Sequence, residues 1–99
     1  VAVKIIDTSQ IKEEYVARNL EREARILARL SHPNIVFLYE TMRSESLYYM
    51  VTELASGGDL CSYIKNHKNG HLDEKLARNF GCQLISAIIH MHKRGVVHR

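Results

Sequence analysis

The chain has 99 residues, 45% of them hydrophobic and 25% charged, which suits one small globular domain or part of a larger one and excludes a disordered chain. Fourteen Lys and Arg against 11 Asp and Glu give a net charge of +3. The basic residues alternate with acidic ones instead of forming a block, so neither nucleic acid nor an anionic membrane is expected as a partner. No apolar run approaches the ~20 residues of a membrane span. Cys61 and Cys82 read as free thiols of a reducing compartment; with no targeting signal, the expected location is the cytoplasm, with the nucleus open.

In chain order, Val1 to Ile6 is β-branched and apolar except at Lys4 and predicts a strand buried on both faces. The chain opens already inside this strand. Asp7, Thr8 and Ser9 can cap the helix after them. From Glu13 to Leu30, Val16, Leu20, Glu23, Leu27 and Leu30 recur at steps of four, three, four and three, one face of a helix. Ser31-His32-Pro33-Asn34 ends it, because Pro33 disfavours helical geometry at the residue before it. Ile35–Glu40 and Leu47–Glu53 predict an antiparallel hairpin across Met42–Ser46.

Ala55-Ser56-Gly57-Gly58 is a small, flexible stretch that predicts a linker between two lobes. Asp59 can cap a short helix reaching about Lys65, and Asn66–Gly70 is a loop. Leu72-Asp73-Glu74 opens the longest helix. Leu76, Phe80, Leu84, Ile88 and Met91 form its stripe, widened by Ile85, Ala87 and Ile89, so it is expected to be a buried, central helix. Gly95 can supply a left-handed stop, and Val96-Val97 predicts a short strand before His98-Arg99.

Glu23 is out of place in this pattern. A carboxylate on a core-facing stripe must find a partner or take up a proton, and Lys4, the one charge in an apolar strand, is the candidate. From these two residues alone, a structural ion pair and a phosphate-binding cation held by a carboxylate fit equally well. The histidines His90 and His92 cannot share a metal, since residues two apart on a helix point to different sides; no metal site is expected within the chain.

Five segments, in order, carry a resemblance. Val1-Ala2-Val3-Lys4 resembles the third-strand lysine motif of the protein kinase superfamily, and Glu23, nineteen residues on, falls where its helix glutamate stands. His32-Pro33-Asn34-Ile35-Val36 resembles the loop leading from that helix into the fourth strand. Glu53-Leu54-Ala55-Ser56-Gly57-Gly58-Asp59-Leu60 looks like the hinge, and Val96-Val97-His98-Arg99 like the start of the His-Arg-Asp catalytic loop. The hinge and Leu72-Asp73-Glu74-Lys75 are most similar to calmodulin-dependent and AMP-activated-type serine/threonine kinases.

The resemblance implies an α+β, bilobal protein-kinase-like fold, incomplete here: residues 1–53 as part of the N-lobe, 54–59 as hinge and 60–99 as the start of the C-lobe. It implies an ATP-dependent serine/threonine kinase with ATP and a protein substrate as partners. Lys4 would contact the α- and β-phosphates and Glu23 would hold Lys4 in place. Ala2 would pack on adenine, Leu60 would form the opposite wall or core of the short helix, and Thr52 would be the gatekeeper. The backbone carbonyl of Glu53 and N–H of Ala55 would meet the base, and Asp59 the ribose, capping a helix at the same time. Leu27, Leu38 and His98 would stack in a column between lobes, and Arg99 would meet a phosphate or carboxylate of the activation segment. No glycine-rich loop precedes Val1, and the catalytic Asp would be the residue after Arg99. Mg²⁺ is implied with its ligands outside the chain, and the chain by itself is expected to be inactive. A pseudokinase or truncated scaffold binding a protein partner is the alternative.

Overall fold

The computed structural model describes residues 1–7, 9 and 14–99, apart from the side chains of 14–17. A three-stranded antiparallel sheet carries one helix, and two further helices come after it. The order is β1 (Ala2–Asp7), α1 (Glu14–Ala28), β2 (Leu38–Ser44), β3 (Leu47–Thr52), α2 (Leu60–Lys65) and α3 (Glu74–Lys93). The strands lie in the order β1-β3-β2.

Register decides which side chains meet α1. Ala2 stands opposite Thr52, Lys4 opposite Met50 and Ile6 opposite Tyr48; directly opposed residues share a sheet face. Tyr48 and Met50 are buried on that face together with Ala24 of α1, and Ile6, Leu27 and Leu38 pack against the cluster. Alanine at the centre of the contact lets the helix axis lie close to the strands. At the rim, Arg43 Nη1 meets Glu21 Oε1 at 2.9 Å, tying β2 to α1.

The core stripe of α1 therefore runs Leu20–Ala24–Leu27, and Glu23 lies beside it, exposed. This corrects the placement of Glu23 on the buried face. Spacings of three and of four both return to one side of a helix, so periodicity alone could not separate 23 from 24. Val16 of the predicted stripe, and a cap by Thr8, fall outside the described side chains and residues. Of the other proposed caps, Asp7 instead accepts hydrogen bonds from the N–H and hydroxyl of Ser9.

Three further expectations are corrected. Strand β1 is not buried on both faces: Val3 and Ile5 are 50% and 60% exposed, because they alternate with Lys4 and Ile6 and so point away from the sheet face that α1 covers. The hairpin is shifted and its turn tighter than predicted: β2 begins at Leu38, not Ile35, and reaches Ser44, with Glu45 at φ 49° turning the chain. Helix α3 is not buried all round. Ala87 is buried, while Leu84, Ile85 and Ile89 are exposed, since the α1–β2 loop and the chain beyond Lys93 cover only one side of it. Val96 is buried and Val97 exposed, but the pair forms no strand.

Local signals at the helix ends behave as expected. Asp73 Oδ1 accepts from Leu76 N at 2.8 Å, capping α3. At its other end Gly95 takes φ +72°, and Gly95 N and Val96 N donate to His92 O and Met91 O, a paired C-terminal closure that needs a left-handed residue.

Met50 is 4% exposed beneath α1. We expect Met50→Ala to destabilise the domain by about 2–5 kcal/mol, measured by urea unfolding of the intact protein; a smaller loss would mean that α1 settles onto the truncated site.

Candidate nucleotide site

Lys4 and Glu23 face one another from β1 and α1. Nζ lies 4.0 Å from Glu23 Oε1, and each side chain is 55% exposed. That distance is beyond a hydrogen bond, and the pair is solvated, not in a dry interior. The two sequence-predicted partners are brought together, but as a solvated pair. Such pairs contribute about 0–1 kcal/mol to stability. Their apposition comes instead from the packing of Ala24 on Tyr48 and Met50.

Ala2 and Thr52 are register partners on the same face as Lys4, with Leu38 opposite Thr52 on the other side. Thr52 Oγ1 donates to the carbonyl of Glu53 at 3.2 Å. The backbone N–H of Glu53 donates to Phe37 O at 2.8 Å, and its Oε1 accepts from Phe37 N at 3.2 Å. The first residue beyond β3 is thereby pinned to the chain entering β2. From Glu53 to Asp59 there is no regular structure, and the N–H of Ala55 makes no hydrogen bond among the described residues. Gly58 has φ +80°, where a side chain would be strained.

Asp59 caps α2 with both carboxylate oxygens: Oδ2 accepts from Ser62 N at 2.9 Å and Oδ1 from Ser62 Oγ at 2.8 Å. These bonds, the backbone one first, hold its carboxyl below the usual value of 3.8, because they favour the charged form. Leu60 is exposed, and α2 buries none of its residues, so the alternative role of Leu60 as helix core is not what it does. No hydrogen bond or ion pair among the described residues joins Asp59 or Leu60 to Ala2, Lys4 or Thr52.

Behind α1, a cavity of about 560 Å³ is bordered by Glu23, Leu27, Leu30, Met91, His98 and Arg99. Leu27 and His98 share this cavity, whereas Leu38 packs with Leu27 on the buried cluster. Leu27 thus touches both, and His98 itself is exposed. A second cavity, about 280 Å³, lies between the Glu53–Ala55 stretch, Asn34 and α3 at Gln83 and Leu84.

Sequence reasoning missed the Glu21–Arg43 pair, since it placed Arg43 in a loop. It also missed the Glu53 carboxylate's bond to Phe37, because nothing in a linear pattern announces a side chain reaching a backbone sixteen residues away.

The family model described as Protein kinase domain matches residues 1–99. The chain belongs to the protein kinase family. Its fold is that of a kinase N-lobe-like portion, a three-stranded antiparallel sheet with helices, mixed α and β. Similar curated proteins include the Hormonally up-regulated neu tumor-associated kinase of Mus musculus, 46% identical over 100 residues, and that of Homo sapiens, 45% identical over 100 residues. The SNF-related serine/threonine-protein kinase of Rattus norvegicus is 40% identical over 99 residues. Each alignment covers 100% of this chain but only 14%, 14% and 13% of the respective relative, so the kinase segment spans a small part of those proteins.

Removing the Asp59 cap tests how this kinase segment orders the start of α2. Asp59→Ala is expected to lower stability more than Asp59→Asn, because Asn still accepts from Ser62 N. Urea midpoints of the two variants compare them directly, and equal losses would contradict the assignment.

Proposed function

We propose that the protein carrying this chain is an ATP-dependent serine/threonine protein kinase that transfers the γ-phosphoryl group to a protein hydroxyl. The observation carrying this reading is the apposition of Lys4 and Glu23 across β1 and α1, within a chain matched end to end by the kinase domain. Phosphoryl transfer relies on positioning and on stabilising phosphate charge. A half-exposed ammonium steered by a carboxylate suits that need better than a buried, fully compensated pair would.

The groups present fit a nucleotide. Lys4 supplies a cation to the α- and β-phosphates, and Glu23 restrains its direction. Ala55 offers an uncommitted backbone donor, and Glu53 O, which accepts one bond from Thr52, keeps a second lone pair for the base. Ala2 and Leu60 would flank the base, and Thr52 would bound its inner end. Asp59 reaches a ribose hydroxyl only by sharing an oxygen already bonded to Ser62, so its contribution there is secondary to capping.

Mg²⁺ would supply charge neutralisation at the phosphates. Among the described residues no group of three or more His, Cys, Asp and Glu could hold a metal ion, so its ligands would come from outside this chain. The same holds for the catalytic carboxylate, and the 99-residue chain alone is accordingly inactive in this proposal. No helix among the described residues is long and apolar enough to cross a membrane.

The decisive experiment is Lys4→Met in the full-length protein. We expect phosphoryl transfer to fall on the order of a hundredfold or more, while the urea midpoint stays within about 1 kcal/mol of the parent because the pair is solvated. Undiminished transfer by a folded variant would remove Lys4 from this role, and absence of transfer in the parent would favour a scaffold.

A further inference from the structure

The α1–β2 loop and helix α3 meet through two histidines. His32 Nδ1 accepts the N–H of Asn34 at 3.0 Å, and its Nε2 lies 3.0 Å from Ser86 Oγ on α3. An imidazole accepting at Nδ1 carries its proton on Nε2 when neutral, so His32 donates to Ser86. On the opposite side His90 Nε2 accepts the N–H of Ser31 at 3.2 Å. The two rings face each other at 5.0 Å between centroids, tilted by 46°. Each ring thus uses a lone pair to bind a backbone N–H of the loop after α1.

His90 is in a contradictory position. With Nε2 accepting, its proton sits on Nδ1, which faces the Arg94 guanidinium at 3.1 Å. A neutral ring has one acceptor nitrogen, so the Ser31 N–H and the Arg94 guanidinium compete for it. The groups around His90 are otherwise cationic or neutral: Lys93 and Arg94 on its own helix, His32 on the loop, and Arg29 at the end of α1, whose Nη2 donates to Arg94 O at 2.7 Å. Among the described residues no carboxylate takes part in this group of contacts, so a second proton on His90 would meet positive charge and remove the acceptor used by Ser31.

We propose that His32 and His90 form a proton-sensitive joint that fixes the end of α1 against α3 and loosens when His90 takes up a proton. Partial withdrawal from water, then the charges of Arg94, His32 and Lys93, hold the His90 imidazole below its ordinary 6.5. The sign comes from linkage. A folded-state pKa below the unfolded one means that the loosened form binds protons more readily, so the joint is complete above about pH 6.5 and weakens as pH falls through the lowered value. Resting on the nucleotide reading above, the joint also governs Lys4: α1 carries Glu23 about two helical turns before the contacts at Leu30 and Ser31, and a freed helix end lets Glu23 drift from Lys4.

The test uses the full-length protein and two readouts. Backbone deuterium exchange of the peptide spanning 29–36, corrected for intrinsic rates, is measured between about pH 7.5 and pH 5.5. One proton taken up on opening changes the opening equilibrium by up to about tenfold per pH unit between the lowered and the ordinary pKa, so protection is expected to fall as pH drops across this range. His90→Gln keeps an acceptor near Nε2 and cannot titrate, and its protection should change far less. Histidine C2–H exchange in the unmodified protein gives the pKa of His90 independently of any variant; a value at or above 6.5, or protection of 29–36 that ignores pH, overturns the joint. Nucleotide affinity measured with ATP over the same range separates the two readings. Affinity that stays constant while the joint opens overturns the link to Lys4, and ATP that binds at no pH overturns the nucleotide reading while leaving the joint standing.

Discussion

Ala24 packed under Tyr48 and Met50 is the contact on which the geometry of this chain depends. A small side chain at that point lets α1 lie close on the sheet, and closeness puts Glu23 within 4.0 Å of Lys4. The energetics run in one direction. An exposed pair contributes at most about 1 kcal/mol, too little to hold a fifteen-residue helix in place. Helix packing places the ions, and the ions report where the helix is. That division suits a regulatory element: a pair too weak to anchor α1 can be made or broken by whatever moves α1.

Several connections tie the sheet half to α3, among them the bonds from Arg29 Nη2 to Arg94 O and from Asn34 Nδ2 to Gln83 Oε1, and two others differ in kind. At Glu53 the link is covalent and stiffened: one backbone bond and one carboxylate bond to Phe37 hold the residue next to β3, after which Ala55 to Gly58 carry little restraint. At His32 and His90 the link is non-covalent, made of neutral acceptors surrounded by cations. The cavity bordered by Glu53, Ala55, Asn34 and Gln83 lies between these two restraints.

Much of this was legible in the residues themselves. The caps of α2 and α3, the stop at Gly95 and the end of α1 near Pro33 all arise from local chemistry, where one side chain meets a backbone group a few positions away. The Lys4–Glu23 pairing was legible for another reason: Lys4 interrupts an apolar strand and Glu23 falls at a position of helical apolar spacing, although it proved to lie beside the buried stripe. What escaped was everything that depends on geometry across elements. Glu23 and Ala24 satisfy the same helical spacing, and only the sheet decides which one is covered. Arg43 reads as a loop residue until β2 extends far enough to reach Glu21. The competition of Ser31 and Arg94 for His90 becomes visible only when the loop after α1 is laid against α3.

The exposed apolar positions show how patterning and burial can disagree without either being mistaken. Val3 and Ile5 on β1, and Leu84, Ile85 and Ile89 on α3, have the composition of buried positions, yet each is about half exposed or more. Water-facing aliphatic groups of this density are unfavourable at roughly 25 cal/mol per Å², and exposed patches of this kind commonly mark surfaces meant to be covered. The chain spans 14% of the length of relatives it matches from end to end. Periodicity records the surroundings in which a sequence is stable, whereas exposure measures only what 99 residues can cover. Where the two conflict, as on α3, the apolar pattern identifies the faces on which further chain has most free energy to gain, and the solvated Lys4–Glu23 pair, polar on both sides, marks a face with no such demand.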